Sequence, residues 1–297
     1  MIIKFKIRKV MLNNLKAKKV INACFAISMV FLCSCSASFT YNNLSWLSSF
    51  WVDDYIDFNK TQNKQLKQII NTTQAWHRST QLPAYKQDIQ NIKALFNTTL
   101  SNDQLKEQVV FAKKHWQNLL EYAHMPLAEL GATLSSEQRE ELLNNIQIKI
   151  NDEREEFNEQ TPLERKSERL EEQFEYYEQW IGKLNKQQKA LIKSTNEQHQ
   201  DSGTLWLKYK QNRLNAAKQV FTNAEITKKE FINQLSTVIK ERELYMSDAL
   251  LKTNEANLNL YINLLYELNS TLNDKQRQSV NEQFDELIET LNDIIEE

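Results

Sequence analysis

Only six residues in this chain of 297 are glycine or proline, three of each. These residue types supply the left-handed turns, the close backbone approaches and the reversals on which sheets, barrels and phosphate-binding loops depend. Average usage would place roughly twenty glycines in a chain this long. The scarcity excludes dinucleotide folds, P-loops, β-sandwiches and barrels, and it favours helices, which need breaks only at their ends. A hydrophobic content of 41%, with 10% aromatic side chains, can bury a core and is too apolar for a disordered chain.

Helix starts are written into the sequence as capping boxes, in which a Ser, Thr or Asn and a Gln or Glu three residues later satisfy each other's backbone donors. Five stand out: Asn59…Gln62, Ser101…Gln104, Ser135…Gln138, Asn185…Gln188 and Asn273…Gln276, each preceded by Phe or Leu. Between them apolar residues recur at three- and four-residue steps, as in Phe231, Leu235, Val238, Tyr245 and Ala249. Breaks are expected at Leu82-Pro83, His124-Met125-Pro126, Thr161-Pro162, Asp201-Ser202-Gly203 and Thr222-Asn223. The pattern predicts an all-α protein, an elongated antiparallel bundle of about eight helices. The charged run from Asp152 to Glu172 reads as a solvated helix face.

The N-terminus carries seven basic residues and no acidic one before an apolar stretch, Ile21 to Ser34. This is a secretory signal pattern; fourteen residues are too few to span a bilayer core, which takes about 20. Met1 and Met11 are both possible starts. Leu32-Cys33-Ser34-Cys35 resembles the bacterial lipoprotein box, which implies cleavage before Cys35, diacylglyceryl transfer to its thiol and acylation of its amine. The expected plan is a signal peptide at 1–34, a lipidated N-terminus and short tether at 35–40, and a helical domain at 41–297. Multiple acyl chains anchor stably where one does not, so the expected partner is the membrane, through lipid on Cys35. Ser36, in place of Asp, favours the outer membrane by resemblance to enterobacterial sorting. Loss of the signal leaves 30 basic against 39 acidic residues, a net charge of −9, which gives no electrostatic case for nucleic acid. Cys24 and Cys33 leave as well, so the mature chain has one cysteine and no disulfide.

Chemistry is sparsely marked. No G-x-S-x-G, H-E-x-x-H, EF-hand or paired-cysteine motif appears, and His77, His115, His124 and His199 are scattered. No cofactor and no metal are expected. The best constellation joins Asp53, Asp54 and Asp57 to Trp76, His77 and Arg78. On a helix the three carboxylates would crowd one face, and Arg78, returning antiparallel, would relieve them as a bidentate partner. A structural ion pair, a ligand or partner site, a divalent cation site and catalysis are all open readings of this box. The aromatic cluster Tyr41, Trp46, Phe50, Trp51, Tyr55 and Phe58 suits either packing on the bundle or a membrane interface.

The stretches Tyr41-Asn42-Asn43-Leu44-Ser45-Trp46, Trp51 to Asp57, Trp76 to Tyr85, Pro126 to Arg139, Arg169 to Glu172 and Trp180-Ile181-Gly182 resemble an uncharacterised family of proteobacterial lipoproteins, defined only as a domain of unknown function. The resemblance implies a helical, lipid-anchored envelope protein and supplies no activity. The repeated Leu-(Ser/Asn)-x-x-Gln unit is also similar to the repeat of small all-helical periplasmic stress chaperones, although a capping box alone would generate it. The leading expectation is an outer-membrane-anchored periplasmic lipoprotein that binds a partner or assists envelope proteins without catalysis. An envelope hydrolase using the acidic box and a structural tether are the alternatives.

Overall fold

Capping chemistry decides where the helices begin. The computed structural model describes residues 33–98 and 100–297, and the side chains from Ala37 onward. Residues 1–32 of the expected signal peptide at 1–34, and the expected acylation site on the Cys35 side chain, therefore lie outside the described residues. All five expected boxes form with both reciprocal bonds, and two more use glutamate, Thr161…Glu164 and Thr227…Glu230. In chain order the helices are α1 (Cys33–Asn42), α2 (Leu44–Asp53), α3 (Lys60–Trp76), α4 (Leu82–Phe96), α5 (Asn102–Gly131), α6 (Ser136–Glu159), α7 (Pro162–Ile181), α8 (Lys186–Gln198), α9 (Gly203–Thr222), α10 (Lys228–Lys240), α11 (Asp248–Ser270) and α12 (Asp274–Glu296). The described residues contain no strand. The fold is all-α, as expected, with twelve helices among the described residues rather than about eight. Asn43 interrupts the first pair, and a 3₁₀ turn at Arg242–Tyr245 separates α10 from α11.

Two expected breaks do not occur. Pro83 cannot donate to the carbonyl of Ser79, yet the chain stays helical because a single π-helical turn, His77–Gln81, joins α3 to α4. Pro126 sits inside the 30-residue α5, where packing against α3 and α10 holds the helix through the lost bond. At the end of α7, Gly182 adopts φ 71°, a backbone region that side-chain-bearing residues avoid.

The core has two parts. The first cluster gathers Ile56, Ala128, Leu134, Ile150, Leu214 and Leu235 with their neighbours; the second gathers Tyr177, Ile181, Ile192, Leu264, Val280 and Phe284 with theirs. The chain supplies them alternately: 52–58 to the first, 89–96 to the second, 128–150 to the first, 170–192 to the second, 214–245 to the first and 261–284 to the second. Long helical runs therefore shuttle between the two clusters.

Each cluster is closed by a pair of capping-box glutamines. In the first, Gln62 Nε2 donates to Gln138 Oε1 at 2.9 Å and to the Thr133 carbonyl at 3.0 Å, while Gln138 Nε2 donates to Gln62 Oε1 at 2.8 Å and to the Asp57 carbonyl at 2.6 Å. In the second, Gln188 Nε2 donates to Gln276 Oε1 at 2.9 Å and Thr271 Oγ1 at 3.2 Å, and Gln276 Nε2 returns bonds to Gln188 Oε1 and the Lys183 carbonyl, both at 3.0 Å. The following arginines also match. Arg139 donates to the Phe221 carbonyl and lies over that ring, and Arg277 does the same with Phe96. One local device, Thr-Leu-(Ser/Asn)-x-x-Gln-Arg at 133–139 and 271–277, is thus used twice.

Candidate functional site

The residues of the acidic box and the Trp-His-Arg segment do not meet. The reason is the rigid rod between them: α3 has 17 residues, about 25 Å at ~1.5 Å per residue. α2 packs on α3 and returns antiparallel to it. The carboxylates at the end of α2 therefore face the start of α3, while Arg78 lies beyond the opposite end. Arg78 bonds Asn42 Oδ1, with its guanidinium 5.4 Å from the Tyr41 ring, and makes no ion pair with Asp53, Asp54 or Asp57. The expected pairing is corrected accordingly. Asp54 instead faces Lys149 of α6 at 3.7 Å, and the Asp57 amide donates to Glu141 Oε2 at 3.3 Å.

At the far end of α3, Trp76 stacks on Tyr122 with centroids 4.2 Å apart. The His77 ring lies between two tyrosines, Nδ1 3.1 Å from Tyr41 Oη and Nε2 3.1 Å from Tyr85 Oη. Because the Tyr41 hydroxyl donates to the Gln74 carbonyl at 3.2 Å, the assignment that satisfies every group puts the His77 proton on Nδ1 and lets Tyr85 donate to Nε2. Burial, with His115 nearby, holds the His77 pKa below its usual value, and burial pushes both tyrosines up. His199 is also lowered, by burial and then by Arg169. A histidine with a depressed folded pKa binds protons more readily when unfolded. Its stability contribution is therefore complete above about pH 6.5 and is lost as pH falls through the folded value. The melting temperature should hold steady from pH 8 to about 6.5 and decline below it. In His77→Gln the decline should be shallower; an unchanged pH profile in that variant would remove His77 from the account.

A sizeable opening lies within the first cluster. A cleft of about 640 Å³ runs between the end of α2, α5, α6, α9 and α10, walled by Ile56, Leu130, Leu134, Leu214, Leu235 and Val238. Protein interiors rarely leave voids much larger than a water, and this volume falls in the range of ligand sites. Its charged lining is confined to Lys149, Glu153, Lys210 and Arg213. Lys210 Nζ lies 2.5 Å from Glu153 Oε2, Lys149 pairs with Asp54, and Arg213 donates to the carbonyls of Val238 and Ile239. Of the sequence-predicted site residues, Asp54 alone is tied to this cleft by a side-chain contact. The wall residues were legible in the sequence only as core positions. Among the described residues no group of three or more His, Cys, Asp or Glu side chains could hold a metal ion.

Residues 54–249 match the family described as Family of unknown function (DUF6279). That span contains every wall and rim residue named for the cleft. No curated protein and no solved structure matches the chain.

Proposed function

Since the chain belongs to the family of unknown function DUF6279, which supplies no activity, we propose a role from its own geometry: a lipid-anchored periplasmic protein that binds without catalysis. The ligand is an apolar or amphiphilic group, taken up by the cleft of the first cluster. The observation that carries this reading is the cleft itself, apolar over its walls and charged at Lys149, Glu153, Lys210 and Arg213. Apolar walls with a few placed polar groups are the usual composition of a small-molecule site. The lipobox-like Leu32-Cys33-Ser34-Cys35, with Ser36 following, supports an acylated Cys35 and residence at the outer membrane. A chaperone-like role would use the same cleft on an apolar segment of an envelope protein.

The cleft can be tested by filling it. Ala217 of α9 lines it, and Ala217→Trp places an indole in the space. A fluorescent hydrophobic probe should bind the wild-type mature chain and bind the variant at least about tenfold more weakly, a difference of ~1.4 kcal/mol. Helical circular dichroism should be retained. Equal binding by a folded Ala217→Trp protein, or no binding by the wild type, defeats the proposal.

A further inference from the structure

The first two helices are packed inside out. Among the described residues their buried side chains are serines, Ser38 and Ser48, whereas Phe39, Trp46, Phe50 and Trp51 are 59%, 55%, 56% and 55% exposed. A buried polar residue or an exposed large apolar patch is the informative departure from ordinary packing, and here the two departures share one helix pair. Trp46 and Phe50 meet edge to face at 5.0 Å, one helical turn apart. The pair is fastened to the body. Ser38 Oγ donates to Glu297 Oε2 at 3.0 Å, Asn42 bonds the same carboxylate, and Tyr41 bonds the Gln74 carbonyl and His77. Trp46 and Phe50 therefore form a fixed apolar patch, and Phe39 and Trp51 add exposed rings on the same helix pair.

We infer that this surface docks on the membrane leaflet, its rings lying in the interfacial zone as an aromatic belt does. Two observations select a neutral lipid surface as the occupant. Phe39 follows Cys35, the expected acylation site, by four residues, about 6 Å of helix at ~1.5 Å per residue. From Val20 to Val52 there is no charged side chain, and the first charges beyond are the acidic Asp53, Asp54 and Asp57. The helix pair itself therefore brings no cation for anionic headgroups, the nearby Arg78 being engaged by Asn42 and the Tyr41 ring, and binding rests on apolar burial. The inference leans on the lipoprotein reading only for delivery to the membrane, because the affinity of the rings is their own.

The test uses the mature chain with Cys35→Ser, which cannot be acylated, and vesicles of phosphatidylcholine. The protein should float with the vesicles equally at low and high salt. Its tryptophan emission should shift to the blue and be quenched by lipids brominated near the headgroup. The combined change Trp46→Ser, Phe50→Ser, Trp51→Ser should weaken binding by at least about tenfold and retain the helical circular dichroism of the body, since none of these rings belongs to either core cluster. Absence of flotation, a requirement for anionic lipid, or undiminished binding by the triple variant overturns the inference. So does self-association that the triple variant abolishes, which would assign the face to a second copy. The anchor is read separately, from the mass of the N-terminal peptide of membrane-extracted protein. An unmodified Cys35 beside intact vesicle binding removes the lipid anchor and leaves the docking face standing.

Discussion

Gln188→Ala should lower the unfolding free energy by about 3–5 kcal/mol, a large effect for a neutral side chain on one surface-starting helix. Gln188 is fully buried. Its Oε1 accepts the Asn185 amide at 2.9 Å and the Gln276 Nε2 at 3.0 Å, and its own Nε2 donates to Gln276 and Thr271. Truncation leaves several of these partners facing a void too small for orderly solvation, and each stranded buried group costs roughly 1–3 kcal/mol. The loss of volume adds to this. Gln104 is the control. It closes the capping box at Ser101 without a second glutamine, so Gln104→Ala should cost about 1 kcal/mol or less. Urea unfolding of both variants measures the difference, and equal losses would show that the paired glutamines are no more than caps. Gln276→Ala should be strongly non-additive with Gln188→Ala, as expected of partners in one network.

Ile192→Ala should cost roughly 2–5 kcal/mol. Ile192 lies one turn beyond Gln188 on α8, is fully buried and belongs to the second cluster with Leu264, Leu268 and Val280. Leu235→Ala removes a side chain of similar size from the first cluster, yet Leu235 borders the cleft. A side chain facing open space has surrendered part of its dispersion contacts already. Its truncation should therefore cost about half as much as Ile192→Ala when no ligand is bound. A larger loss at Leu235 than at Ile192 in thermal unfolding would mean that the cleft is closed and tightly packed in solution.

Helix starts were legible because a capping box is local: all its partners lie within four residues, so Asn59, Ser101, Ser135, Asn185 and Asn273 could be placed from sequence. The second use of four of those glutamines was not, since it joins positions 76 and 88 residues apart. The recurrence of Thr-Leu-(Ser/Asn)-x-x-Gln-Arg was its only trace. The proposed Arg78 pairing failed on geometry, because charge complementarity says nothing about the length of the helix between partners. The aromatic cluster divided in a way that composition does not encode. Tyr55 and Phe58 pack on the first cluster, while Trp46, Phe50 and Trp51 face outward. The cleft was invisible for a simpler reason. It is a space left between side chains, and its walls carry the same leucines and valines as any filled core.

The alternation of the chain between its two clusters limits how the protein can be divided. Each cluster is built from three separated stretches interleaved with those of the other, so no single cut yields two fragments that each own a whole core. The segment that matches the family, 54–249, carries the cleft and the Gln62–Gln138 pair but stops short of Leu264, Leu268, Val280 and Phe284. It also leaves Gln188 without Gln276. As an isolated piece it would expose the faces of α7 and α8 that bury Tyr177, Ile181 and Ile192 here. The boundary drawn by sequence similarity is therefore not a folding boundary in this chain, and α11 and α12 are integral to it rather than an appendage.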